Sequence, residues 1–469
     1  MKSKSIMHPL FAVIALVPFA ACTLMGQTAS VWLTTPDKSS LVAQQSNALQ
    51  FSHAKRDVPT IAVNDAKKFQ TIDGFGFALT GGSAQLLMHM TAPARASLLK
   101  QLFSTDGDGI GVSYLRVSIG SSDMNANVYS YDDMPAGETD PTLAKFSLAR
   151  DEVDVIPALK EILAINPKIK ILGSPWSAPA WMKTNDKSKG GTLNPEYYKA
   201  YAKYFVKYVE GMKAAGIPID AITIQNEPLN PKNTPSMVML AKQEDNFIKD
   251  ALRPAFKKAN IQTKILVYDH NPDVTSYALS ILKDPDASKY VDGSAWHLYG
   301  GEISALTDVH DAFPNKNIYF TEQSITGGHH DTGIDISEPV SDVVIGATRN
   351  WSKNVLLWNL AADPEDGPHT NDGGCSSCSG AITLDGDGVT LNVAYYVIAQ
   401  VSKFVPPGSV RVESNDVEQL ANVAFLTPSG KMVLLVSNTG NFPTTFNVSY
   451  HGKAMTATLP EGDVATYVW

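Results

Sequence analysis

The chain has 469 residues, 44% hydrophobic and 18% charged, which is the composition of a folded globular protein and excludes a disordered or fibrous one. Its formal charge is −9, and an acidic chain without basic clusters excludes nucleic acid and anionic membrane surfaces as partners, leaving neutral substrates. The length exceeds one ordinary core, so a large domain with a smaller companion is expected.

Residues 1–29 read as an export leader: Lys2 and Lys4 supply the charged start, and residues 9–21 form an apolar run ending in small residues. That run is too short to span a bilayer, and no later stretch is long enough, so no transmembrane segment is expected in the mature chain. Phe19-Ala20-Ala21-Cys22 also resembles a lipoprotein cleavage site. The protein is therefore expected to be periplasmic or extracellular, either freely secreted or lipid-anchored through Cys22. Residues 30–64 carry three short strand-like runs (31–34, 49–51 and 60–63).

Residues 65–400 alternate between apolar strand-like runs and helix-like segments. The runs lie at 71–75, 114–119, 169–173, 221–225, 264–268, 293–298, 317–321 and 354–360, with amphipathic segments such as 196–215 and 243–259 between them. Eight such alternations predict an α/β fold, a (β/α)8 TIM barrel. A doubly wound open sheet fits less well, because polar and aromatic residues follow nearly every strand end rather than one switch point. Cys375-Ser376-Ser377-Cys378, in a Gly-rich loop, is open to three readings: a disulfide, two free thiols, or a metal or redox pair. Beyond residue 401, short strands at 410–412, 417–425, 432–437, 444–450 and 454–459 predict an antiparallel β-sandwich that the 30–64 segment joins.

Two of the strand-like runs end in carboxylates, Glu227 and Glu322. Their separation of three β/α units assigns them to the fourth and seventh strands, across one barrel mouth. There, two carboxylates about 5 Å apart are the equipment for cleaving a glycosidic bond with retention. Asn226 places an amide beside Glu227, suited to a sugar hydroxyl. Trp176, Trp181, Trp296, Tyr299 and Trp358 stand at or just after strand ends, where aromatic walls stack on pyranose rings and raise the pKa of an acid. His297 and Tyr299 alternate on one face; Tyr299 is placed to bond the nucleophile, and His297 to orient Glu322 or a sugar hydroxyl. Asp123 is a candidate acceptor for two sugar hydroxyls.

The motifs Gly74-Phe75-Gly76, Leu115-Arg116-Val117-Ser118-Ile119-Gly120-Ser121-Ser122-Asp123 and Ser174-Pro175-Trp176, running on through Trp181, resemble glycoside hydrolase family 30. So do Asn226-Glu227-Pro228, His297-Leu298-Tyr299, Phe320-Thr321-Glu322 and Trp358-Asn359-Leu360, in the same order. The resemblance, from about residue 61 to the C-terminus, implies a barrel with a side sandwich, retention of configuration and no metal or other cofactor. It implies Glu227 as acid/base, Glu322 as nucleophile, and sugar contacts from Asp123, Trp181, Asn226, Trp358 and Asn359. The expected activity is hydrolysis of β-D-glucosidic bonds in a β-glucoside, oligosaccharide or glucosylated lipid, of the glucosylceramidase type. Endo-β-1,6-glucanase and β-xylosidase are the alternatives within the family, and a non-catalytic carbohydrate-binding protein is the alternative outside it. The Gly-rich Cys375–Cys378 loop departs from the lysosomal glucosylceramidases, so a lipid leaving group does not follow.

Overall fold

The computed structural model describes residues 1, 27–325 and 333–469. The expected leader through residue 26, with Cys22, lies outside them. Eight parallel strands close into a barrel: β1 (Gly74–Leu79), β2 (Tyr114–Ser118), β3 (Lys170–Ser174), β4 (Ala221–Thr223), β5 (Lys264–His270), β6 (Gly293–Trp296), β7 (Asn317–Phe320) and β8 (Ser352–Leu357). β8 pairs with β1 to complete the ring. The strands are almost wholly buried, which accounts for their near-continuous apolar runs.

The sequence expectation began the first barrel strand at residue 71, but Thr60–Thr71 is one long sandwich strand and β1 starts at Gly74. Glycine hides the strand signal there because the backbones pass too closely for a side chain. A Cβ on Gly76 would lie 1.9 Å from the Tyr114 carbonyl oxygen. Gly76→Ala should therefore lower unfolding stability by about 3 kcal/mol, read as a fall in the urea midpoint.

The second domain is a ten-stranded antiparallel-dominated sheet folded around its own core of Ile61, Leu434, Phe446 and Tyr467, among others. Thr28–Thr34 pairs with the last strand, Val464–Val468, and Thr60–Thr71 pairs with Val410–Ser414 and Thr444–Tyr450. Residues 28–34 and the last strand thus meet in one sheet. Among the described residues, no helix is long and apolar enough to cross a membrane.

The barrel interior explains where the chemistry can sit. Tyr114, Leu172, Ala221, Leu266, Ala295, Tyr319 and Leu356, from seven strands, form one dry inward-facing cluster. Side chains on a strand return to the same face every second residue. Two positions further on, the same faces therefore present Arg116, Ser174, Thr223, His297, Thr321 and Trp358. On β5 the register to β6 shifts, with Tyr268 and Asp269 at φ +78° and +61°, and this turns Asp269 into the layer instead of Tyr268. A polar layer thus lies over an apolar one, at the C-terminal end of the barrel.

Candidate active site

Arg116 and Asp269 are fully buried and anchor this polar layer. One guanidinium nitrogen donates to Glu322 Oε2, and the other donates to Asn226 Oδ1 and Asp269 Oδ2, both at 2.7 Å. Asp269 also accepts from Thr223 Oγ1 (2.8 Å), Ser174 Oγ (3.2 Å), Thr321 Oγ1 (2.7 Å) and His297 Nε2 (3.2 Å). A buried ion is tolerated only when its bonding capacity is filled in this way. Burial pushes the Asp269 carboxyl up, but the Arg116 charge and the His297 and Thr321 hydrogen bonds outweigh it and hold the group well below the usual carboxylate range.

Above this layer opens a cavity of about 410 Å³ lined by Asp123, Glu227, Tyr299, Glu322 and Trp358, among others. Glu227 follows β4 in a left-handed conformation (φ +44°), fixed by its N–H to the Asp269 carbonyl (3.0 Å) and by Asn230 N–H to its own carbonyl (2.8 Å). Its Oε1 faces His297 Nδ1 at 3.3 Å and its Oε2 accepts from Asn230 Nδ2 at 2.7 Å. Glu322 follows β7; its Oε1 accepts from the Tyr299 hydroxyl at 3.0 Å. His297 Nδ1 is 3.8 Å from Glu322, and carboxylate oxygens of Glu227 and Glu322 lie within 4.8 Å of one another.

The charges divide unequally. Burial lowers the basicity of the His297 imidazole, but the Glu322 charge and the Asp269 and Glu227 hydrogen bonds overcome this and raise it to about 9. Burial likewise raises Glu227, yet the His297 bond and charge bring it down to about 2. Glu322 is raised, by burial and the neighbouring carboxylates against the pull of His297 and Arg116. Asp123 is pushed up to about 8 by burial and by the Glu322 and Glu227 charges, so at neutral pH it offers a donor as well as an acceptor. The sequence expectation that burial among aromatic walls raises the acid is therefore corrected at Glu227: the hydrogen bond and charge of His297 outweigh burial and hold it low.

The other expected site residues divide as well. Trp358 lines the cavity and packs against Trp176 at 5.4 Å, and the Arg116 guanidinium lies 4.8 Å from the Trp176 ring centre. Asn226 and His297 sit in the layer that supports the carboxylates. Trp181 and Asn359 are not among the residues that line the cavity. The Trp181 indole donates to the Asp132 carbonyl (2.9 Å) and packs on Tyr197, while Asn359 is spent on Thr80, Ser83 and the Ala361 carbonyl. Trp296 is buried against Ser294. Cys375 and Cys378 form a disulfide whose loop lines one wall.

Sequence reasoning assigned no role to Arg116, Asp269 or Asn230. An arginine inside the strand Tyr114-Leu115-Arg116-Val117-Ser118 was the available signal, because a charge in a fully buried strand demands a partner. Glu227, His297 and Glu322 are, among the described residues, the one group of such side chains spaced closely enough to share a metal ion. Arg116 already brings a fixed positive charge into that group.

Residues 72–405 match the family model of the glycosyl hydrolase family 30 TIM-barrel domain, and residues 408–467 that of the glycosyl hydrolase family 30 beta sandwich domain. The chain is 34% identical over 427 residues to an endo-1,6-beta-D-glucanase of Aspergillus fumigatus, covering 85% of each protein. It is 30% identical over 440 residues to the lysosomal acid glucosylceramidase of Mus musculus, covering 87% of this chain and 83% of the relative. Among solved structures, the endo-beta1,6-glucanase BT3312 is similar with a TM-score of 0.86 and 35% identity, over 94% of this chain and 99% of that one. The paired glutamates of the barrel mouth thus sit in a chain matched along both its domains, and the protein belongs to glycosyl hydrolase family 30.

Proposed function

We propose that this glycoside hydrolase is an exported endo-β-1,6-glucanase acting by double displacement, with Glu322 as nucleophile and Glu227 as acid/base. The observation that carries the mechanism is the approach of the two carboxylates to within 4.8 Å inside one cavity, the spacing of retaining enzymes. The linkage rests on the relatives: endo-1,6-beta-D-glucanases of two fungi, Aspergillus fumigatus and Trichoderma harzianum, each align over 427 residues. This moves the preferred substrate from a glucosylceramide-type glucoside to a β-1,6-linked glucan. Products from a β-1,6-glucan, a β-1,4-glucan, glucosylceramide and an aryl xyloside, followed over time, test it. Intermediate-length oligosaccharides from the β-1,6-glucan alone are expected; cleavage of glucosylceramide with the glucan untouched would reverse the assignment.

Glu322 accepts hydrogen bonds on both oxygens, from Arg116 and from Tyr299, an arrangement that suits an ionised nucleophile aimed at the anomeric carbon. Glu227 delivers the proton to the leaving oxygen and later takes one from the attacking water. The resting proton is held on His297. Its Nε2–H is committed to ionised Asp269, so Nδ1 is the nitrogen that exchanges with Glu227 Oε1 across 3.3 Å. Transfer makes Glu227 a neutral acid while leaving Glu322 ionised, with no change of net charge in the cavity.

That shared proton fixes the sign of the pH dependence. A group raised to about 9 keeps its proton below that value and loses it as the pH rises through it. The basic limb of kcat/KM is therefore expected near pH 9. In His297→Gln it should fall by about two units, because nothing then stores the proton for Glu227. A limb that stays in place in the variant would contradict the sharing.

A further inference from the structure

Asp123 and Trp358 line the cavity together with Asn230, Asn233, His270 and Asn271, of which Asn230 and His270 stand against Glu227 and Asn271 against the Tyr299 backbone. Among the described residues no aliphatic side chain lines the cavity at all. Asn230 is committed to Glu227, but the Asn233 amide makes no hydrogen bond within the described protein. Asn271 uses its Oδ1 on the Tyr299 N–H (2.9 Å) and leaves its two amide hydrogens free.

The backbone that carries Asn233 is fixed by the loop after β8. Thr234 N–H, next to Asn233, donates to the Gly373 carbonyl at 3.2 Å, and the Thr370 hydroxyl donates to the Thr234 carbonyl at 2.7 Å. The loop after β8 fits so closely there that a Cβ on Gly373 would stand 2.4 Å from the Lys232 carbonyl oxygen. At its other end the loop is closed by the Cys375–Cys378 disulfide, and Cys378 packs into a cluster with Trp176, Trp358, Met124 and Ala78. One loop thus ties the Trp358 cluster to the backbone that carries Asn233.

We infer that Asn233, clamped by the disulfide-closed loop, and Asn271, held on the Tyr299 backbone, form a leaving-group subsite selective for a sugar. The departing glycosyl unit offers hydroxyls that fill these amides, whereas an alkyl or lipid chain would leave them unpaired against a polar wall. This rests on Glu227 being the acid, since the leaving group then lies on its side.

The test compares kcat/KM for a β-1,6-linked glucose tetramer with that for an aryl β-gentiobioside cut at its aryl bond. In Asn233→Ala the tetramer-to-aryl ratio is expected to fall about fivefold or more, the factor for one lost neutral hydrogen bond. The Cys375→Ser/Cys378→Ser protein should shift the ratio in the same direction, mainly through KM. A ratio in Asn233→Ala that falls less than threefold, or equal losses on both substrates, overturns the inference whether or not the cysteine variant folds. If the wild-type enzyme cleaves a β-1,4-linked tetramer and not the β-1,6-linked one, the linkage proposed above fails, and the same ratio measured on the β-1,4 tetramer decides this inference.

Discussion

Glu322→Gly is expected to reduce hydrolysis of a β-1,6-glucan by roughly 10⁴-fold or more, because it removes the atom that bonds the anomeric carbon. The cavity should survive, since Arg116 keeps Asp269 and Asn226 as partners and Tyr299 keeps the Ser324 N–H. Added azide then distinguishes the two glutamates. In Glu322→Gly it enters the vacated volume, attacks an activated β-glycoside from the nucleophile's face and leaves an α-glycosyl azide. In Glu227→Ala the glycosyl-enzyme still forms from an activated substrate, and azide meets it from the opposite face to give the β-azide. Exchange of these two outcomes would exchange the roles of Glu227 and Glu322.

The second large effect is on stability. Arg116→Met should cost about 3–5 kcal/mol of unfolding free energy, because it leaves the buried carboxylates of Asp269 and Glu322 without the guanidinium that pairs with both. The wild-type network itself has little surplus, since burying three charges is offset by the hydrogen bonds that fill them. Asp269→Asn should also destabilise, and the double variant Arg116→Met/Asp269→Asn should lose less than the sum of the two. Urea unfolding of the four proteins measures this; strictly additive losses would show that the pair does not act as one unit. Activity should fall in each variant, as Arg116 orients both Glu322 and Asn226.

The barrel was legible because its strands are buried on both faces and read as apolar runs, and because polar residues break in where each strand reaches the mouth. Glu227 and Glu322 stood out for the same reason. Period-two alternation carried the reading as far as His297 and Tyr299. It could not find the register shift on β5 that replaces Tyr268 with Asp269, since a bulge leaves no mark in an apolar string. Trp176 and Trp181 follow the same strand five residues apart, and composition alone does not tell that one packs against Trp358 while the other bonds the Asp132 carbonyl. Asn359 adjoins a cavity-lining tryptophan, yet its side chain is committed to Thr80 and Ser83. The lowering of Glu227 was equally hidden, because it depends on an imidazole contributed from 70 residues away.

Covalent trapping tests the mechanism most directly. The protein is incubated with a 2-deoxy-2-fluoro β-gentiobiosyl fluoride, whose fluorine slows breakdown of the glycosyl-enzyme more than its formation, and the digest is weighed by mass spectrometry. A single disaccharide adduct on the peptide bearing Glu322 is predicted. An adduct on another residue, or hydrolysis with inversion and no adduct at all, would contradict double displacement at this pair of carboxylates.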